Sequence, residues 1–271
     1  MLRNMLRRSA LLISHVLVLT VVVVCVALGQ WQLDRLAQVR ANNALLEQRL
    51  EATPLDLADL VDAPVDEEAL EFRRARAVGT YRVDQEVLQR NQPHPGQTGF
   101  GVLTPLELED GGVVLVRRGT VPPTMDQPPV EEAAPPGGTV AVEGILERPV
   151  PQPGFGPQDP DDGVLERVFH TDTARLDRQV DGALYPMVLR LQPSAVGPGG
   201  STDDEVAFDT LPVPPAPPVL DEANHLSYAV QWHAFATIAL VTYLAWLWQR
   251  HRRREGGTEA PREHEQAGLP G

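Results

Sequence analysis

Ser9 to Leu28 reads SALLISHVLVLTVVVVCVAL, 20 residues without a formal charge. A helix of that length rises about 30 Å, the thickness of a bilayer's hydrocarbon core. The run is also longer than the roughly 7–15 apolar residues of a secretory leader. The small-residue ALG before Gln30 is a weak cleavage signal, so the stretch predicts an uncleaved anchor. A second run, Tyr228 to Trp248 (YAVQWHAFATIALVTYLAWLW), spans 21 residues, again without formal charge. Tyr228, Trp232, Trp246 and Trp248 sit near its ends, where amphipathic rings prefer the membrane interface.

The flanks set an expected orientation. Arg3, Arg7 and Arg8 precede the first run, and Arg250, Arg252, Arg253 and Arg254 follow the second. Residues 29–227 carry 15 Arg against 33 acidic residues, a net of -18. Basic flanks stay in the cytoplasm, which predicts a bacterial plasma-membrane protein with both termini inside. The expected divisions are a cytoplasmic segment 1–8, a first span 9–29, an extracytoplasmic domain 30–227, a second span 228–248 and a disordered cytoplasmic tail 249–271. All 23 basic residues are Arg, and with 26 Pro and 22 Gly this matches the coding bias of a GC-rich bacterial genome. The overall charge of -14 argues against nucleic acid as a partner. The single cysteine, Cys25, rules out an intramolecular disulfide or CxxC chemistry.

Residues 31–52 keep apolar positions at helical spacing and predict that the first span continues as a helix until Pro54. Beyond it the pattern changes to short β-like runs bounded by Gly and Pro: 72–82, 86–91, 99–108, 112–120, 139–148, 167–170 and 185–193. Asp110-Gly111-Gly112 is a hairpin signal. A short helix is expected at 171–180, opened by a Thr N-cap. These elements predict an α+β membrane protein: two transmembrane helices flanking a mainly antiparallel β domain, a small barrel or sandwich. Residues 121–138, 149–163 and 194–220 are expected as loops.

Catalytic signatures are missing. HExxH, GxSxG and the phosphate-cradling glycine motifs do not occur, and His94, His170 and His225 are far apart in sequence. Asp159, Asp161 and Asp162 lack calcium-loop spacing and are expected, like Asp203, Asp204 and Glu205, to be solvated. No catalytic residue is assigned.

Four blocks carry a resemblance: LGQWQLDRL (28–36), VGTY (78–81), LTPLELEDGGVVLVRRGTVP (103–122) and NHLSYAVQW (224–232). One stands at each expected membrane exit and two in the β domain. In this order they resemble the surfeit locus protein 1 family, membrane factors for assembly of cytochrome c oxidase. The family hairpin usually reads Asn-Arg-Gly-Trp where this chain has Arg117-Arg118-Gly119-Thr120. The resemblance implies no enzyme but an assembly chaperone. Its partners would be the large oxidase subunit and the haem a synthesis machinery, its cofactor haem a, and its candidate iron ligand His225.

Physical reading of the histidines leaves alternatives open. On a helix, His225, Tyr228 and Trp232 fall at i, i+3 and i+7, and a neutral imidazole is a good axial ligand for haem iron. The plainer account makes Asn224 an N-cap and His225 an interfacial residue. His233 lies about 80° round the helix from His225, so the two cannot share one iron. His15 lies too deep in the first span to pair with His225. For both, a helix–helix or partner contact is the better account. Trp31 and Arg35 flank the first span, and Arg35 could meet a propionate or anchor the interface. Gly79 and Tyr81 mark a strand with close backbone approach or a bulge. Arg118 and Gly119 suit either a partner surface or a structural role. The competing function is a non-haem membrane scaffold or sensor whose β domain binds an envelope protein.

Overall fold

Helix α1 (Leu2–Glu51) is a single unbroken helix of 50 residues, so the first apolar run and the polar segment after it form one rod. The computed structural model describes residues 2–60, 64–109, 111–192, 210–218 and 220–255. They divide into two compact units, 1–43 with 220–271 and 44–219. Asp110, Asp203, Asp204 and Glu205 lie outside the described residues.

The first unit pairs α1 with helix α4 (His225–Glu255). Both are long and apolar enough to cross a membrane. Buried or half-buried positions on α1 include 11, 14, 18, 22, 25, 29, 32, 36, 39 and 43, and those on α4 include 225, 229, 232, 236, 239 and 243. This is a repeat of about 3.5 residues, the period of a left-handed two-helix seam. Nearly every other apolar side chain in the two runs is exposed, as lipid-facing residues are. The helix α4 continues to Glu255, beyond the expected start of a disordered tail; residues 256–271 lie outside the description.

The second unit is a β barrel with short helices. Strands β1 (Leu55–Asp56), β2 (Arg74–Tyr81), β3 (Val87–His94), β4 (Gln97–Leu108), β5 (Val113–Val121), β6 (Thr139–Glu147), β7 (Arg167–Val168) and β8 (Leu184–Leu191) form one sheet. Its order is β1-β2-β6-β8-β5-β4-β3-β7, and an added β2–β4 pairing closes β2, β6, β8, β5 and β4 into a five-stranded ring. Only β5–β8 within the ring is parallel. The expected mainly antiparallel β domain between two membrane-capable helices is therefore present. The β4–β5 hairpin turns through Gly111 (φ 102°) and Gly112 (φ 79°), conformations that cost glycine little.

Alternation along β2 sends Ala75, Ala77 and Tyr81 inward. They meet Leu106, Val114, Leu146, Met187 and Leu189 in the main core. The strand's two alanines and Gly79 keep this wall thin, which lets β2 approach β4 at the seam. The short helix α3 (Thr173–Leu176) is one turn long and is capped by Asp172, whose carboxylate accepts from the Arg175 amide at 3.1 Å. This corrects the expected Thr171 cap: carboxylate and hydroxyl both suit the position, and one residue's shift in phase decided between them. A second short helix, α2 (Glu67–Leu70), has the same arrangement at Asp66.

Asp159 is also corrected. It is buried rather than solvated, and its carboxylate accepts from the amides of Phe169 (2.8 Å) and His170 (3.1 Å). It ties the loop before β7 to the chain just after it, satisfying amides that no strand partner reaches.

Candidate functional site

At the start of α4, Asn224 stands in the cap position: its carbonyl accepts the first helical bond from Tyr228 N at 3.0 Å. His225 follows as the first helical residue and is half-buried on the stripe that faces α1. Its Nδ1 lies 2.8 Å from Oε1 of Gln32. An amide oxygen only accepts, so Nδ1 is the donor, and in the neutral ring that tautomer leaves the lone pair on Nε2. Trp232 is half-buried one heptad on and stacks edge-to-face with Phe235 at 5.9 Å. Tyr228 is on the flank, half-exposed, beside a hollow lined by Asn224, Ser227 and Gln231. The helix thus brings His225 and Trp232 onto the α1 seam and leaves Tyr228 beside it.

On α1, Trp31 and Arg35 are exposed on either side of Gln32 in sequence. Arg35 donates to Gln38 one turn on, at 3.1 Å. Three residues further along the stripe from Gln32, Gly29 packs under the His233 ring. A methyl group added at Gly29 would sit 2.3 Å from His233 Cε1. His233 donates from Nδ1 to the carbonyl of Ala229 at 2.8 Å. Deeper along the pair, Tyr243 Oη lies 2.7 Å from His15 Nδ1 and 2.8 Å from Ser14 Oγ. Both membrane histidines are therefore used in packing the two helices. Small residues (Cys25, Gly29, Ala229, Ala236) line the seam between them and allow close backbone approach. We expect Gly29→Leu to prise the helices apart and expose the buried Cys25, raising its maleimide labelling rate in detergent several-fold. Unchanged labelling would refute a seam held by Gly29.

Residues 19–237 match the family model described as the SURF1 family. The chain belongs to the SURF1 family. A SURF1-like protein of Monosiga brevicollis is 28% identical over 253 residues, covering 89% of this chain and 88% of that one. An uncharacterized SURF1-like protein of Mycobacterium tuberculosis is 29% identical over 246 residues, with 86% and 82% covered. A SURF1-like protein of Caenorhabditis elegans is 24% identical over 255 residues, with 86% and 73% covered. SURF1 proteins are generally known as cytochrome oxidase assembly factors.

The remaining SURF1-like motif residues sit in the barrel. A methyl group at Gly79 would lie 2.0 Å from the Glu107 carbonyl oxygen, so VGTY marks the close approach of β2 on β4. Tyr81 is buried at the end of β2, and burial pushes its phenol up to about 12. The guanidinium of Arg118 stands 5.5 Å over its ring. Arg118 is itself buried and ion-paired to Glu86 at 3.2 Å; its other contacts are Thr104 and the Ala133 carbonyl. Burial holds its pKa below the usual guanidinium value, while Glu86 opposes the shift. Of the two roles left open for Arg118, the structure gives it the internal one. Gly119 has φ 151°, and a methyl group there would meet the Val213 carbonyl oxygen at 2.3 Å. It seats the segment around Val213, which bonds to Thr120 through both backbone groups at 2.8 Å.

Sequence reasoning missed Gln32, Glu86 and the role of Gly29. Gln32 stands inside the LGQWQ block, one residue after Trp31, and its heptad phase relative to Gly29 was the available signal.

Proposed function

We propose that this SURF1-family chain serves assembly of haem–copper cytochrome c oxidase by holding haem a at the α1–α4 mouth for the large catalytic subunit. It takes the haem from the synthesis machinery and performs no catalysis of its own. The observation that supports this reading is the His225–Gln32 hydrogen bond. A metal-binding histidine commonly donates its other ring N–H to a fixed acceptor, which sets the tautomer and orients the ring. With Nδ1–H engaged by Gln32, Nε2 has the lone pair that an axial ligand needs. Haem, when bound, supplies the iron and two propionates. Trp232 and the exposed Trp31 offer apolar faces beside the ligand, Tyr228 a hydroxyl at the flank, and Arg35 a guanidinium suited to a propionate. In the membrane, the basic ends lie in the cytoplasm and the acidic barrel outside it, which sets His225 at the outer surface.

The test is an absorption spectrum of the full chain purified in detergent after coexpression with haem a synthesis, with oxidase activity followed in cells. We expect His225→Ala to abolish the Soret band. Gln32→Leu keeps the ligand but frees the ring, and should weaken haem affinity by about 10–100-fold. Equal haem content in His225→Ala and wild type would exclude His225 as the ligand. Normal oxidase activity in a strain lacking the chain would exclude the assembly role.

A further inference from the structure

The barrel domain carries a cleft that the assembly reading does not use. It opens between the turn after β3, the end of β5 and the segment 213–216, and holds about 540 Å³. His94, Arg117, Thr120, Glu147, Arg190 and Val213 line it. Two guanidiniums meet one carboxylate there. Arg117 Nε is 3.3 Å from Glu147 Oε2, and Arg190 Nε is 2.8 Å from Glu147 Oε1. The second contact is short but lacks hydrogen-bond alignment, so the Nε proton of Arg190 has no acceptor among the described residues. Arg190 also donates to the Ala216 carbonyl at 2.6 Å, and Arg117 to Gln89. Each guanidinium has five donor hydrogens, and these partners leave most of them unspent. On the far wall His94 Nδ1 meets Thr120 Oγ1 at 3.1 Å.

The charge is unbalanced as well. Among the described residues, Arg117, Arg190 and Glu147 give the cleft wall two cations against one anion, a net of +1, within a segment (29–227) whose net charge is -18. The side chains of Arg117 and Arg190 are only 15% and 13% exposed, so water does little to screen them from each other. Burial holds the Arg117 pKa below its ordinary value, Glu147 opposes this, and the neighbouring Arg190 adds to the lowering. Among the described residues, a second negative charge is what the site lacks. The planar fork of a guanidinium matches a carboxylate in two parallel hydrogen bonds.

We propose that this cleft binds a carboxylate, held between Arg117 and Arg190 beside Glu147. A single carboxylate charge neutralises the +1, whereas a phosphate dianion would overshoot it. This site is independent of the haem reading, since no residue is shared with it.

The full chain in detergent is titrated with propionate and, separately, with an end-blocked tripeptide whose only charge is one Glu, at constant ionic strength set with chloride. Binding is followed by calorimetry and by the rise in melting temperature. Arg117→Gln should weaken binding at least 10-fold. Glu147→Gln removes the internal competitor and should tighten it several-fold, although it costs the protein two ion pairs. That opposite pair of changes is what a merely structural Glu147 would not produce. Propionate binding alone assigns the site to a free small carboxylate, and tighter tripeptide binding assigns it to an acidic side chain. The proposal is overturned if neither probe binds above the chloride background, if phosphate binds as well as both, or if Glu147→Gln binds no tighter than wild type.

Discussion

Glu86→Ala should destabilise the barrel by about 3–5 kcal/mol, the usual cost of stripping one partner from a buried ion pair. The Glu86 side chain is 1% exposed and its Arg118 partner 6%. One carboxylate oxygen accepts from the Val130 amide at 2.9 Å, and the other from Thr104 Oγ1 at 2.8 Å and Arg118 at 3.2 Å. Alanine leaves the guanidinium buried with the Ala133 carbonyl, the Thr104 hydroxyl and the Tyr81 ring face as its remaining neighbours. It also leaves the Val130 amide without an acceptor. For a domain of this size the loss corresponds to a fall of about 10 °C in melting temperature, read from the β signal in circular dichroism of the full chain. The double variant Glu86→Leu with Arg118→Met should recover much of the loss, because no lone charge remains. The exposed pair Arg40–Glu222, 2.8 Å apart with side chains about half exposed, is the control: Glu222→Gln should leave the melt unchanged. A Glu86→Ala melt within 2 °C of wild type would sink this account.

Gly79→Ala should cost a comparable amount, toward the upper end of the roughly 1–3 kcal/mol of overpacking. The barrel closes through three register pairs, Gly79↔Leu108, Thr80↔Glu107 and Tyr81↔Leu106. The methyl group would fall 2.0 Å from Glu107 O and 2.8 Å from its carbonyl carbon, both main-chain atoms that no rotamer change can move aside. Relief requires β2 and β4 to separate, so the loss should be local. Amide exchange should quicken at Glu109 and Arg82, whose bonds to Val78 O and Pro105 O span the seam. Gly137→Ala, where nothing lies within 4 Å, should change neither exchange nor melting. Seam amides that stay protected in Gly79→Ala would refute the close approach as the reason for glycine.

What was legible in the sequence was local. Apolar length gave both membrane-capable helices, and the strand runs gave the β domain, because each rests on a short-range period or a turn residue. The Asp110-Gly111-Gly112 signal marked the β4–β5 hairpin for the same reason. Closure of the barrel was not legible. Pairing of β2 with β4 and the parallel pairing of β5 with β8 depend on long-range register, for which a strand carries no mark of its own. The adjacent arginines make the point at single-residue scale. Strand alternation says that Arg117 and Arg118 face opposite ways, but not which one is sealed inside and which lines the cleft. That is decided by Glu86, which is 32 positions away from Arg118. His225 was legible as a candidate through resemblance. Its hydrogen-bond partner Gln32, 193 positions distant, was not.

The ends of the sheet have a consequence for handling the protein. A β sheet normally exposes a free edge, where unpaired amides and carbonyls can recruit strands from other copies. Here the five ring strands are paired on both sides, and the two ends of the sheet order, β1 and β7, are only two residues long each. The stub β7 covers only Leu88 and Gln89 of β3, and the rest of that outer edge is broken by the bulge between Gln89 and Gln92 and by Pro93, so an incoming strand finds little to grip. Self-association of the concentrated protein should therefore run through its lipid-facing helices, and be suppressed by detergent, rather than through growth of intermolecular β structure.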